Sequence, residues 1–431
     1  MRKLLFILLL PALHVYAQTL PELLTLTFRH NDAVKSFDFR AQAAESKAGT
    51  AGIYPDPQMM FTINQIPWPG GNPVTEAYSQ EISVSQMIMT GGKLGSMRNA
   101  ELKSIPIIEA QKKEYKARLA SQIAGSYYNL WIMDQEIELQ RRYHHLITKL
   151  INLFSAQSSS GSRTAELISL RSESAVAEVN LNKMISERRS MELMLLGQMG
   201  ISDSLLSGIT PSILPSDTLS SLETVMQIHG NPQISVMHAM EEMIEAEKDA
   251  LSREIYPDLM AELMFMRMPL GMPLTTKTDP DMIHDLGKGE TEYMYGLRFS
   301  LTLPFLPGYS ARVKHSVDEK HLLKSAAVLE RENMKRMIER ESVSLREEYL
   351  TTAEIIKKYK NEVLPLLRQN IGLLESLFSS GQADLNAVLR EEKMYIMNEM
   401  ELLSLIKKLL SLRARYILFT DIDKLSQEGQ L

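Results

Sequence analysis

The chain of 431 residues contains no cysteine. That excludes disulfides, thiolate metal sites and a lipid carried on an N-terminal cysteine. Beyond the first residues it also lacks any apolar run approaching the roughly 18 residues that a membrane-spanning helix needs. The remainder is therefore either soluble or membrane-spanning as a β-barrel. Positive charge is not in excess: the formal net charge is −6, and removing Arg2 and Lys3 would make it more negative. This argues against a nucleic-acid partner, which usually meets a basic patch. Catalytic spacings are missing too, with no zinc, nucleophile-elbow or P-loop pattern. The nine histidines are scattered, and the adjacent His144 and His145 leave a helix in different directions, so they do not share a metal. No enzyme activity and no cofactor is expected.

What is present begins with MRKLLFILLLPALHVYAQ. Two basic residues, an apolar run and small residues ending at Ala17 read as a secretory signal over 1–17. An exported chain without cysteine suggests a bacterial envelope protein. Helical periodicity then dominates. The stretch from about Gly92 to Gln157 keeps apolar residues at mixed three- and four-residue spacing, far longer than an ordinary globular helix. A second such stretch runs from about Ser310 to Phe378, with Pro365 as a kink. Shorter helices are expected after each, over about Ala165 to Met199 and about Asp384 to Phe419. Two short texts recur some 200 residues apart: IYPD at Ile53 and again at Ile255, and Leu-Phe-Ser turns near Gly161 and Gly381. That is the signature of an internal duplication. The expected division is a first repeat over 18–200, a linker over 201–221, a second repeat over 222–420 and a tail over 421–431.

Between each IYPD corner and the next long helix lie two stretches that alternate with period two. They cover about 58–66, 77–88, 258–268 and 292–303. In the clearest, Tyr293, Tyr295, Leu297, Phe299 and Leu301 oppose Glu292, Met294, Gly296, Arg298 and Ser300. Such alternation usually means a sheet packed on a core. These strands are about ten residues long, however, which suits a tilted bilayer crossing. They also carry aromatic residues, Trp68 among them, near their ends. A bilayer tolerates no open sheet edge, and barrels of this kind have at least about eight strands. If these four cross a membrane, several chains must share one barrel. At the corners, Tyr54-Pro55 and Tyr256-Pro257 would end a helix where a strand begins, because proline fixes its own φ and disfavours helix in the residue before it. The descents TGGK at Thr90 and PFLPG at Pro304 are their counterparts.

Over its whole mature length the chain resembles the TolC family of outer-membrane efflux channels. The matching texts are IAGSYYNLWIMDQEIELQ, GNPQISV at Gly230, both Tyr-Pro-Asp corners, GLRFSLTLPFLPGYSARV, and the turns at Gly161 and Gly381. The first repeat departs from the Asn-Pro pattern, reading HNDAV at His30. The resemblance implies a mainly α fold with a small membrane β-barrel contribution. It also implies long α-helical hairpins forming a periplasmic α-barrel, and four strands per chain in a shared, homotrimeric twelve-stranded β-barrel. The implied partners are outer-membrane lipid, a periplasmic adaptor (membrane fusion) protein and an inner-membrane pump, with no nucleic acid. The implied place is the outer membrane of a Gram-negative bacterium, with a long periplasmic extension; the lack of cysteine leaves no N-terminal lipid anchor to expect.

The family's acidic gate positions fall here on Ala387 and Arg390, its aromatic on Phe378, and its arginine on Ala383. The gate therefore does not carry over. Charges still gather near the tips, at Arg163, Glu166, Arg171, Asp384, Arg390 and Glu391, and suggest either a rewired polar latch or merely a solvated helix end. Twenty-seven methionines raise a second question. Met264, Met266 and Met268 share a strand face, with Met272 in the loop after it. Thioethers suit Cu(I) and Ag(I), although methionine also replaces leucine in helices. A periplasmic adaptor and a coiled-coil envelope protein remain as competing readings. The first needs small β-domains flanking a single hairpin. The second leaves the strand alternation unexplained.

Overall fold

A computed structural model describes residues 19–66, 71–75, 77–156, 162–200, 209, 211, 231–269, 291–383 and 385–419. The segments read as signal and tail lie outside them, as do most of the linker, Trp68, Gly161, Met272 and Asp384. Described elements run α1 (Leu20–His30), α2 (Asp32–Ala51), β1 (Gln58–Asn64), β2 (Ser79–Ile88), α3 (Lys93–Leu102), α4 (Ser104–Ala156) and α5 (Ser162–Met199). They continue with α6 (Pro232–Ser252), β3 (Leu259–Met268), β4 (Glu292–Leu301), α7 (Pro307–Lys358), α8 (Leu364–Ser379) and α9 (Leu385–Tyr416). Helix, two strands and a long helical pair thus occur twice.

Local chemistry explains several boundaries. Asn31 and Asn231 cap α2 and α6. The Asn31 side-chain oxygen accepts the Val34 N–H at 3.2 Å, and that of Asn231 accepts the Gln233 N–H at 2.9 Å. The asparagine is thus the shared element of HNDAV and GNPQISV, and the following proline is dispensable because Asp32 also suits a first helical turn. The long helix before the second tip is not continuous. α7 passes through a π turn over Tyr359–Val363 into α8. Pro365 sits in the first turn of α8 and has no N–H to donate, so the backbone widens one turn upstream. β1 ends at Asn64, two residues short of its alternating pattern, where Gln65 adopts a φ of 50°.

The strands form one antiparallel meander in the order β1-β2-β3-β4. Phe61 pairs with Ile82, Ile82 with Phe265, and Phe265 with Tyr295. Among the described residues no helix is long and apolar enough to cross a membrane.

The chain divides into two compact units, and each gathers segments from both the N-terminal and the C-terminal half of the chain. One comprises the described parts of the chain up to Phe39, Ile108–Val236 and from Arg331 onward. Its core packs Leu23 and Leu24 of α1, Ile123 and Leu130 of α4, Leu195 and Met199 of α5, and Leu410 of α9. A further cluster there joins Ile338, Leu345 and Tyr349 of α7 to Leu402 and Leu409 of α9. The other unit comprises Arg40–Ile107 and Met237–Glu330 and contains the sheet.

Candidate conduit: a two-faced sheet, its corners and the helix tip

The register sorts side chains onto two faces. One carries Phe61, Ile82, Val84, Leu263, Phe265, Tyr295, Leu297 and Phe299, and every one of them is exposed. Tyr295, at 87% exposure, is barely touched by its neighbours. A water-soluble protein rarely leaves so contiguous an apolar surface uncovered. The other face carries Gln58, Thr62, Ser83, Ser85, Glu262 and Arg298, the last two joined by an ion pair of 2.9 Å. It is the more covered face, since Ser79, Ser83 and Met268 are buried. β1 and β4 are the outer strands, so each leaves one ladder edge open among the described residues.

The two Tyr-Pro-Asp corners have the same text and different surroundings. The first follows α2. Tyr54 is exposed there, and the Pro55 carbonyl accepts the Gln86 side-chain amide at 2.8 Å. The second is clamped. Tyr256 is extended, at φ −77° and ψ 141°, and ends a short 3₁₀ turn over Arg253–Ile255. The Thr90 hydroxyl donates to the Pro257 carbonyl, and Arg253 donates to Gly91 O at 2.9 Å. The Lys93 ammonium reaches the Asp258 carboxylate at 2.7 Å, with both groups mostly buried. The Asp258 N–H also donates to the Thr302 hydroxyl at 2.7 Å, and its carbonyl accepts the Thr302 N–H at 3.0 Å. The reason lies in topology: β3 is flanked by β2 and β4, whereas β1 is an edge. TGGK therefore belongs to this corner. Sequence reasoning named both texts without joining them, and only the register supplies the link.

Gly91 is required here twice over. Its φ is +67°, and a Cβ would lie 2.3 Å from Tyr256 Cγ. Gly381 has the same kind of φ, +74°, but open space around it. Gly91→Ala is expected to cost clearly more than Gly381→Ala, for which left-handed strain alone is about 1–2 kcal/mol. Urea unfolding of the two variants measures the difference, and equal losses would contradict the clamp.

At the second tip, α8 ends in a Schellman turn. The Gly381 N–H bonds to Phe378 O at 3.0 Å, and the Gln382 N–H to Leu377 O at 2.8 Å. Phe378 and Arg390 are exposed. The side chains of Arg163 and Glu166 lie outside the described residues, as does Asp384. The described polar junction sits further along the helices. Glu173 of α5 accepts the Tyr143 hydroxyl from α4 and the Lys393 ammonium from α9, the latter at 2.6 Å. Arg142 pairs with Glu399 at 3.0 Å, again joining α4 to α9. These residues were missed because 220 residues separate Glu173 from Lys393. Lys393 and Tyr143 hold the Glu173 carboxyl below its ordinary pKa, and Glu173 in turn raises that of Lys393.

Of the methionines, Met264 and Met266 are half-buried on the polar face of the sheet. Met268 lies one row further, opposite Glu292, and is buried. No group of three His, Asp or Glu residues suited to a metal occurs among the described residues.

No family model matches the sequence, and no curated protein resembles it in sequence. Solved structures do. CusC, whose crystal structures concern folding and transmembrane channel formation, superposes with a TM-score of 0.67 at 16% identity, over 94% of this chain and 92% of that one. This chain has the outer-membrane channel fold. VceC, an outer membrane protein of Vibrio cholerae, gives 0.67 at 14% identity, over 93% of this chain and 95% of its own. The CmeC outer membrane channel of Campylobacter jejuni gives 0.65 at 13%, over 95% and 89%. The channel fold thus runs almost from end to end, and the mainly α reading with a small sheet holds.

Proposed function

We propose that the chain is the exit duct of an efflux system, set in the outer membrane of a Gram-negative bacterium as a homotrimer. The observation that carries this reading is the sheet: an uncovered apolar face, a polar face behind it and two open edges. Three copies of the four-stranded meander would join β4 to the next β1 and leave no edge in lipid. The long helices would extend the duct into the periplasm, towards an adaptor protein and an inner-membrane pump. Such a conduit makes and breaks no covalent bond. A periplasmic adaptor accounts less well for two helical pairs and an exposed apolar sheet. Planar-bilayer conductance of the purified protein, with heat-modifiable migration in detergent, tests the reading. A protein that fractionates as soluble and never conducts would refute it.

In this reading the Tyr143–Glu173–Lys393 junction braces the helices against opening, alongside any latch made by Arg163, Glu166, Asp384 and Arg390. The depressed Glu173 pKa gives the pH sign. The brace is complete above the ordinary carboxylate value of about 4.3 and is lost as pH falls through the lower folded value. At the alkaline end it persists past about 10.4, because the Lys393 pKa is raised. Glu173→Gln should raise the open fraction at neutral pH and remove its acid dependence. If closure instead responds to Arg163→Ala, Glu166→Ala or Asp384→Ala and not to Glu173→Gln, the tip is the latch and the brace is merely structural.

A further inference from the structure

The sheet sorts its apolar residues by kind. On the polar face every apolar side chain is a methionine, including Met60, Met87, Met260, Met264, Met266 and Met294. Every Leu, Ile, Val, Phe and Tyr of the four strands lies on the other face, where Met59 is the single methionine. Bulk does not explain this, because methionine and leucine exchange in packed surfaces at small cost. A face selected for volume alone would mix them. What the polar face holds and the apolar face lacks is thioether sulfur beside hydroxyls and carboxylates.

The thioethers are densest at one place. Met266 and Met294 are direct partners across β3 and β4, which sets their Cβ atoms about 4.5–5.5 Å apart. Met264 follows on the same face, about 7 Å along β3. Its side chain lies over Gly296, where a Cβ would come within 3.1 Å of Met264 Cγ and 3.2 Å of its sulfur. Gly296 stands two residues from Met294 on β4. The absent side chain thus leaves room for the Met264 sulfur over β4, the strand that carries Met294. All three side chains are half-buried, and Glu81 pairs with Met266 on its β2 side.

We propose that Met264, Met266 and Met294 form a binding site for soft monovalent cations of the Cu(I) and Ag(I) class. Thioethers select such ions, whereas calcium and magnesium take oxygen ligands. Neutral sulfurs need no deprotonation, so the site works without a change of protonation. Ligands this weak also suit passage, where an ion must enter favourably and still leave. Met87 and Met260, paired two rows away beyond Glu262 and Arg298, offer a second foothold along the same face. The role in transport rests on the duct reading; the binding itself rests on the sheet alone.

The experiment titrates the purified full-length protein with Ag(I) and reads sulfur coordination by X-ray absorption. The combined variant Met264→Leu, Met266→Leu and Met294→Leu keeps volume and is expected to weaken Ag(I) binding by about tenfold or more. Met194→Leu, Met337→Leu and Met397→Leu, at exposed helix positions, should leave it unchanged. Equal losses in both variants, or no sulfur around Ag(I) in the parent protein, would overturn the site. Conductance of the same samples separates the two readings. Sulfur-bound Ag(I) without conductance sinks the duct and keeps the site. Conductance without Ag(I) binding does the reverse.

Discussion

Leu263→Arg is expected to abolish stable insertion into lipid vesicles, while Ser85→Arg inserts almost as the parent does. The two positions sit in adjacent rows of the sheet. Leu263 pairs with Val84 and Leu297, and Ser85 pairs with Gln58 and Glu262. They therefore lie within one residue of the same depth, about 3.3 Å along the strand, and differ chiefly in face. Leu263 is exposed among other exposed apolar side chains, so among the described residues nothing would shield an introduced guanidinium. At a bilayer midplane such a charge costs about 2–4 kcal/mol on the lipid side of a barrel. In a homotrimer that cost would recur in every subunit, so the assembled loss would be a multiple of it. An arginine at Ser85 would meet Glu262 and a polar face. Urea titration of folding into vesicles measures both variants. Comparable losses would mean that the sheet does not separate lipid from lumen, and a larger loss at Ser85 would mean that the faces are reversed.

The parts of this fold legible in the sequence are those written in local periodicity. Alternation at 292–301 and 259–268 marks strands because side chains on a strand must choose a face. The apolar spacing through α4 marks a helix because one stripe must be buried. The corners were legible because proline acts on its own backbone and on the residue before it. What local pattern does not carry is register and long-range pairing. Met294 sits in a text dominated by aromatics and shows its partnership with Met266 only when β3 and β4 are aligned. Likewise Lys93 belongs to the second Tyr-Pro-Asp corner, 165 residues away, because β2 lies against β3. The charges gathered near the tip glycines drew attention by proximity in sequence, yet the described junction uses Tyr143, Glu173 and Lys393, from three different helices.

Arg188→Ala should produce the largest loss of stability in the helical unit. Arg188 of α5 donates to Asp134 of α4 at 2.8 Å, to Glu192 at 2.9 Å and to Ile209 O at 2.9 Å. Glu192 is 2% exposed; it accepts the Ile209 N–H at 2.8 Å and Arg189 at 2.9 Å. Burial works to raise the Glu192 pKa, but the Ile209 amide and the two arginines outweigh it, and the net shift is downward. Removing one partner of a buried pair typically costs about 3–5 kcal/mol, because a charge is left uncompensated. Arg189 and the Ile209 amide remain, so the loss should fall near 3 kcal/mol, the lower end of that range. The pH dependence supplies an independent reading. A depressed carboxyl contributes stability above its unfolded value of about 4.3, and that contribution disappears as pH falls through the folded value. In Arg188→Ala the Glu192 pKa should rise, so part of the acid-induced loss should begin at a higher pH than in the parent. Adding Glu192→Leu should recover much of the stability, since the stranded charge is then gone. If Arg188→Ala proves neutral, or if Glu192→Leu deepens its defect, then the ion cluster contributes little and the apolar contacts of Leu195 and Met199 hold α5 against α4 without it.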